Sequence, residues 1–322
     1  MGYGRYSHEA HVAMTAARRE RPQETVFVRR KCHPLMDPLG VTFRESRDSD
    51  EHPESLGIIF ALDVSGSMGE IPHEMATVTL PRFMDALQTA RINSPQVMFM
   101  AVGFAGEDSA PLQVGQFESS AALIDQWLTS MYLEGGGAGG NESYELAMYF
   151  AARHVRMDCV TERGQRGFLF ITGDEPPTPA VSRHHVARLI GDTLTADIPI
   201  RDIIVEVQRT LEPFFLIPDD DVAPSVERAW RDLLGDRVVR MGHPDDTGDV
   251  AAGLISLLQG VSASLDALVG RLIRDGMRRQ RAARIGRALQ PFAASIGRDS
   301  APNTISGATA LPTRSAPSGM ER

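Results

Sequence analysis

The sequence predicts a doubly wound α/β fold, in which a mostly parallel central sheet is flanked by helices. Apolar runs such as residues 57–62 (GIIFAL) and 167–171 (GFLFI) are typical of strands buried on both faces of a parallel sheet. Segments with apolar residues at helical spacing, such as residues 182–194, separate these runs. The alternation of strand and helix patterns continues from residue 57 to residue 262.

The other elements follow in chain order. Apolar runs predict further strands at residues 96–104, at 114–117 on an edge, at 214–217 and at 238–241. Helical spacing predicts helices at residues 72–91, 121–131, 143–156, 226–234 and 249–261. Residues 202–210 could form a helix or a strand, and the strand at 214–217 favours the helix. We expect Pro81 to kink or break the first of these helices, because proline lacks the backbone donor.

The chain is expected to divide into four parts. These are an N-terminal extension at residues 1–55, the α/β domain at 56–262, a helical extension at 263–292 and a disordered tail at 293–322. Within the extension of unknown fold, Val26, Phe27 and Val28 are predicted to form a short strand that packs on the domain.

Apolar residues at heptad spacing run from the domain into the helical extension, at Leu254, Leu258, Val261, Leu265, Leu268 and Leu272. The first half of this heptad seam is expected to pack on the sheet and the second half to run past the domain, with Gly260 and Gly270 weakening the helix. We therefore expect residues 254–272 to provide an oligomerisation or docking surface, and the domain to stay folded when residues 264–322 are removed. The Arg-rich stretch at 271–287 is either a solvated helix face or a surface for an acidic partner.

Composition limits the functional classes. The net charge of −9 argues against a general nucleic-acid-binding protein. The two cysteines, Cys32 and Cys159, form no CxxC pair, which indicates a reducing compartment. Residues 1–20 contain no apolar segment, and no apolar run has the length of a membrane span, so we expect a cytoplasmic protein without membrane contact.

A group of oxygen-bearing side chains follows the first buried strand. Asp63, Ser65 and Ser67 form the pattern DxSxS where the chain leaves the predicted sheet. One carboxylate and two hydroxyls in a tight turn suit hard cations such as Mg²⁺, Mn²⁺ or Ca²⁺. The alternative is that these residues only cap the helix that follows.

This DxSxS motif resembles the metal-ion-dependent adhesion site (MIDAS) of the von Willebrand factor A (VWA) family, whose fold is Rossmann-like. In that family a second loop provides Thr or Glu, and a third loop provides Asp. The resemblance, which covers roughly residues 56–262, implies Glu142 as the second-loop ligand, with Asn141 and Ser143 as substitutes. It implies Asp174 as the third-loop residue, acting through a water, although the family's Thr-Asp-Gly is Thr-Gly-Asp here.

The resemblance implies a binding module and not an enzyme: a bound Mg²⁺, or Mn²⁺ or Ca²⁺, accepts an Asp or Glu from a protein partner. Cytoplasmic bacterial members of the family often act with AAA+ ATPases or in stress and defence systems, which implies a similar multiprotein setting. Two alternatives stay open. One is a structural scaffold with a degenerate metal site, because the second loop lacks Thr; the other is a metal-dependent hydrolase with Glu142 or Glu175 as general base.

Overall fold

The computed structural model describes residues 6–66, 68, 70–92, 94–135, 141–218 and 221–299. The strands in these residues are β1 (Arg44–Ser46), β2 (Leu56–Asp63), β3 (Pro95–Val102), β4 (Leu112–Val114), β5 (Val155–Met157), β6 (Gly167–Thr172), β7 (Ala180–Val181), β8 (Ile198–Pro199), β9 (Leu211–Ile217) and β10 (Val238–Arg240).

The α-helices in the same residues are α1 (His8–Ala16), α2 (Gln23–Val26), α3 (Glu70–Glu74), α4 (Leu80–Thr89), α5 (Ala121–Thr129), α6 (Tyr144–Arg153), α7 (Asp158–Thr161), α8 (Arg183–Leu189), α9 (Ile200–Val207), α10 (Pro224–Leu234), α11 (Thr247–Leu258), α12 (Leu265–Arg274) and α13 (Arg279–Asp299). None of the helices described is long and apolar enough to cross a membrane.

The central sheet has the strand order β10–β9–β6–β2–β3–β4. All pairs are parallel except the edge pair, in which β4 runs antiparallel to β3. From β2 the chain first extends the sheet towards β4, then returns to β6 on the other side of β2 and continues to β10. This order confirms the predicted doubly wound fold and places the switch of direction beside β2, where ligands bind in such sheets.

A row of phenylalanines crosses one face of the sheet in register, formed by Phe99, Phe60, Phe170 and Phe214. The neighbouring rings are stacked, with centroids 5.3–5.7 Å apart. Phe83 of α4 and Phe292 of α13 pack edge-on against this row. On the opposite face, Tyr144 of α6 and Trp230 of α10 pack against Phe215. Both faces of the sheet are therefore covered, as the apolar runs predict.

The helix after β2 runs from Glu70 to Thr89 and contains a π-helical turn at Met75–Thr79. Of the two expectations for Pro81, the break is wrong, because the helix continues through it; a π-helical turn lies directly before it. The wider π-helical turn directly before Pro81 relieves the clash between a proline ring and the carbonyl group four residues earlier.

The N-terminal residues pack on the domain. Helix α1 lies against α4 and α5, and Arg18 forms a two-pronged ion pair with Asp125 of α5. Strand β1 pairs in parallel with β5. The predicted strand at Val26, Phe27 and Val28 is wrong: α2 ends at Val26, Phe27 is buried, and Val28 is 63% exposed.

The heptad seam at residues 254–272 is interrupted at Gly260, one of the glycines expected to weaken the helix. Helix α11 ends at Leu258, and Gly260 adopts a left-handed φ of 68°, which residues with a Cβ rarely adopt. Ser264 then caps a new helix, since its Oγ accepts a hydrogen bond from the Ala267 backbone N–H at 3.1 Å. The heptad spacing therefore spans two helices and a break.

Helices α12 and α13 belong to the folded core and pack against α11. Their buried side chains include Leu268, Ile285, Leu289 and Phe292. Removal of residues 264–322 would expose this apolar surface, so we now expect it to destabilise the domain. Residues 293–299 continue α13 and are not a disordered tail, and the rest of that predicted tail lies outside the described residues.

Part of the Arg-rich stretch has an acidic partner within the chain. Arg281 and Arg284 both form ion pairs with the fully buried carboxylate of Asp246, with N···O distances of 3.0 and 2.5 Å. Arg281 also pairs with Asp249 at 2.7 Å. These contacts hold α13 against the start of α11.

We predict that Asp246→Ala lowers the free energy of unfolding by roughly 3 kcal/mol, because Arg284 loses its carboxylate partner and Arg281 keeps only Asp249. Urea denaturation measures this change. The control is Asp245→Ala, whose side chain is 34% exposed and lies 3.6 Å from His243; it should lower the free energy by less than about 1 kcal/mol. Equal effects of the two substitutions would contradict the prediction.

Candidate metal centre

Three carboxylates meet at the edge of the sheet where β2 and β6 end. They belong to Asp63, Glu142 and Asp174, and one oxygen of each lies within 4.8 Å of the other two. Asp63 is the last residue of β2, Glu142 lies two residues before α6, and Asp174 lies two residues after β6. Since β2 and β6 are parallel neighbours, their carboxyl ends bring the first and third loops together.

Asp63 is fully buried, and both of its oxygens accept hydrogen bonds. Oδ1 accepts from the Ser65 backbone N–H at 2.9 Å, and Oδ2 accepts from the Tyr144 hydroxyl at 2.5 Å. Burial raises the pKa of Asp63 to about 6, and the hydrogen bonds from Ser65 and Tyr144 oppose part of that rise. The carboxylate is thus oriented by the protein itself.

Glu142 and Asp174 each have an oxygen without a hydrogen-bond partner among the described residues. Glu142 is buried and its Oε2 accepts no hydrogen bond from them, and the buried Oδ1 of Asp174 also accepts none. Burial, with a smaller contribution from the nearby Asp63 carboxylate, raises the pKa of Glu142 to about 8. Unpaired buried carboxylate oxygens are unfavourable, and one divalent cation between them would satisfy both. The donor set therefore fits a hard metal ion.

The first and second loops touch at two glycines. A Cβ on Gly66 would lie 3.1 Å from the carbonyl oxygen of Gly135, and Gly135 has a left-handed φ of 64°. A side chain at position 66 would push the loops apart, so this close approach depends on the glycine.

The structure also explains the Thr-Gly-Asp order in the third loop. A Cβ on Gly173 would overlap the Tyr144 hydroxyl and would lie 2.5 Å from the Tyr144 Cζ. No side chain fits at position 173, so the carboxylate of this loop comes from Asp174. The loop is held beyond that point by Trp230, whose Nε1 donates a hydrogen bond to the Glu175 carbonyl oxygen at 3.0 Å.

The other ligands predicted from the sequence lie in different surroundings. Ser65 is buried beside Asp63 and hydrogen-bonds its carboxylate. Ser67 lies outside the described residues. Asn141 is half-buried, and the Ser143 Oγ accepts a hydrogen bond from the Ala105 backbone N–H at 3.0 Å. In the structure Ser143 therefore ties the second loop to the loop after β3.

Tyr144 is a residue of this site that the sequence pattern does not identify. It begins an apolar helix, it is buried, and its ring packs against Phe215 and Trp230. The carboxylate of Asp63 raises its pKa further above the usual value, beyond the large effect of burial. The only feature of the sequence that links Tyr144 to the site is its place two residues after Glu142.

No protein-family model and no curated protein sequence matches the chain. Among solved structures, the pilus adhesin SpaC from Lactobacillus rhamnosus GG aligns with 11% identity and a TM-score of 0.42, covering 70% of this chain and 31% of that one. Proximal thread matrix protein 1 from the mussel byssus, with a zinc-occupied MIDAS motif, aligns with 10% identity and a TM-score of 0.40, covering 67% and 49%.

A von Willebrand factor type A structure from Catenulispora acidiphila aligns with 14% identity and a TM-score of 0.37, covering 64% of this chain and 43% of that one. The chain thus spans less than half the length of each of these three structures. At this low similarity, the doubly wound fold rests on the strand order of the chain itself, and the matches assign no residue roles.

The metal-free protein should lose stability as the pH rises from 6 to 8.5. The pKa of Glu142 is raised to about 8 from an ordinary value near 4.5, so the folded state holds a proton that the unfolded state has released. This contribution to stability is complete at low pH and is lost as the pH passes through the folded pKa.

The measurement is the midpoint of thermal unfolding in EDTA at each pH, for wild type and for Glu142→Gln. The variant should show a smaller decrease, because its side chain does not titrate. The matched control Glu107→Gln, at an exposed acid in the β3–β4 loop, should follow wild type. A pH profile that is identical in Glu142→Gln and wild type would contradict the prediction.

Proposed function

We propose that this chain is a VWA-type module that binds a protein partner through a divalent metal ion. The observation that supports the proposal most strongly is the pair of buried, unpaired oxygens, Oε2 of Glu142 and Oδ1 of Asp174, beside the oriented carboxylate of Asp63. Such an arrangement is unfavourable in an empty protein interior and becomes favourable around a cation.

In this proposal Asp63, Ser65, Ser67 and Glu142 hold the ion, and Asp174 acts through a water. Carboxylate and hydroxyl oxygens favour Mg²⁺, with Mn²⁺ or Ca²⁺ as substitutes. When bound, the ion supplies a position at which an incoming carboxylate oxygen can replace a water. The protein would determine where this coordination position points, because hydrogen bonds from Ser65 and Tyr144 already hold the Asp63 carboxylate.

The charge of the cluster limits how the partner binds. Three ionised carboxylates carry one negative charge more than a dication neutralises, which would weaken the attraction for a partner carboxylate. Direct coordination by Glu142 therefore leaves the ion more neutralised, and a partner carboxylate gains less from binding it.

The partner in this proposal is a protein that offers an Asp or Glu side chain. The setting is a cytoplasmic bacterial multiprotein system, in which an AAA+ ATPase is one candidate partner, and the role is binding and not catalysis. The support for this setting is the DxSxS resemblance together with the observed position of Asp63 at the end of β2.

We predict that Mg²⁺ and Mn²⁺ bind to the wild-type protein with a stoichiometry of one, and that Asp63→Ala abolishes this binding. The reason is that Asp63 is the carboxylate whose position is fixed by the fold. Isothermal titration calorimetry measures the affinity, with Glu107→Gln as the matched control that should bind as wild type does. Metal binding that survives in Asp63→Ala would show that the site is elsewhere.

We further predict that the protein captures its partner only with metal present. Immobilised wild type, Asp63→Ala and Glu107→Gln are compared on the same cell extract in Mg²⁺ and in EDTA, and bound proteins are identified by mass spectrometry. A partner should appear with wild type and Glu107→Gln in Mg²⁺, and should be absent in EDTA and with Asp63→Ala. A partner bound equally in all conditions would contradict metal-dependent binding.

A further inference from the structure

The Tyr144 side chain lies where all three loops of the metal centre meet. Its hydroxyl donates a 2.5 Å hydrogen bond to Oδ2 of Asp63 in the first loop. In the sequence, Tyr144 comes two residues after Glu142 of the second loop. Its hydroxyl also fills the space beside Gly173, where a Cβ of the third loop would have to lie.

The ring of Tyr144 is fixed by its surroundings. It is 1% exposed and packs edge-on against Phe215 and Trp230, with centroids 5.4 and 5.8 Å away. Phe215 and Trp230 are themselves stacked, with centroids 4.0 Å apart. A hydroxyl on a ring held in this way has little freedom to leave Asp63.

We propose that Tyr144 is a positioning residue of the metal centre: its hydroxyl orients Asp63, and its bulk obliges the third loop to provide its carboxylate from position 174 instead of 173. The inference rests on the proposed metal site and deepens it. The hydrogen bond fixes one carboxylate oxygen and so sets which lone pairs of Asp63 point towards an ion. Groups that orient metal ligands in this way contribute substantially to metal affinity.

The first test compares Tyr144→Phe with wild type by calorimetry with Mg²⁺ and with Mn²⁺. The substitution removes the hydroxyl and keeps the packed ring, so we expect the metal affinity to fall by about 10- to 100-fold. The matched control is Tyr149→Phe, since Tyr149 is a buried tyrosine on the same helix whose hydroxyl donates a 2.6 Å hydrogen bond to Asp192, outside the centre.

Thermal unfolding in EDTA separates positioning from a structural role. Both variants lose a tyrosine–aspartate hydrogen bond, so both should unfold at somewhat lower temperature than wild type. Only Tyr144→Phe should also lose metal affinity. Equal metal affinity in Tyr144→Phe and wild type would overturn the inference and leave the proposed function standing. Absence of metal binding in wild type would overturn both.

A second test uses no metal and examines the coupling between positions 144 and 173. Gly173→Ala should lower the unfolding temperature in EDTA strongly in the wild-type background, because the new methyl group overlaps the Tyr144 hydroxyl. In a Tyr144→Leu background the same substitution should have a much smaller effect. If the two effects simply add, Tyr144 does not determine which residue of the third loop carries the carboxylate, and that part of the inference is wrong.

Discussion

The close approach of three carboxyl groups, with Asp63 and Glu142 buried and Asp174 partly buried, is the constraint on which this structure depends. One carboxylate oxygen from each of Asp63, Glu142 and Asp174 lies within 4.8 Å of the other two. They lie at the carboxyl edge of the sheet, next to its apolar core. Burial, together with the neighbouring carboxylates, raises the pKa of Asp63 to about 6 and that of Glu142 to about 8, because the charged forms are disfavoured there. The fold tolerates the cluster because the backbone of Ser65 and the hydroxyl of Tyr144 stabilise Asp63.

The doubly wound, mostly parallel sheet could be predicted because buried parallel strands have a distinct apolar pattern that ends sharply in polar residues. Asp63 follows such a run, so its place at the carboxyl edge is a direct consequence of the local sequence. The end of α11 and the course of the helix past Pro81 were less predictable. A single glycine with a left-handed φ at position 260 divides an otherwise regular heptad pattern, and a π-helical turn accommodates Pro81 without a break. Hydrophobic periodicity indicates neither the end of α11 nor the π-helical turn before Pro81.

The candidate site was predictable only where its residues carry their own chemistry. Carboxylate and hydroxyl side chains in the loop after β2 indicate a hard cation, which identified Asp63, whereas Glu142 and Asp174 were implied by the family resemblance. Tyr144 could not be found in this way, because its role comes from a tertiary contact with Asp63 and from the space that it fills beside Gly173. The sequence also could not show that Arg281 and Arg284 pair with Asp246 of their own chain. This pairing depends on how α13 packs against α11.

The most direct test of the metal centre is a crystal of the protein grown or soaked with Mn²⁺, with diffraction data collected at an energy where manganese scatters anomalously. The account predicts one anomalous peak among Asp63, Glu142 and Asp174, within about 2–2.5 Å of an Asp63 oxygen. A crystal of Asp63→Ala prepared in the same way should lack that peak. A wild-type crystal without a peak at this position, or with its peak at other residues, would contradict the claim that these buried carboxylates form a metal site.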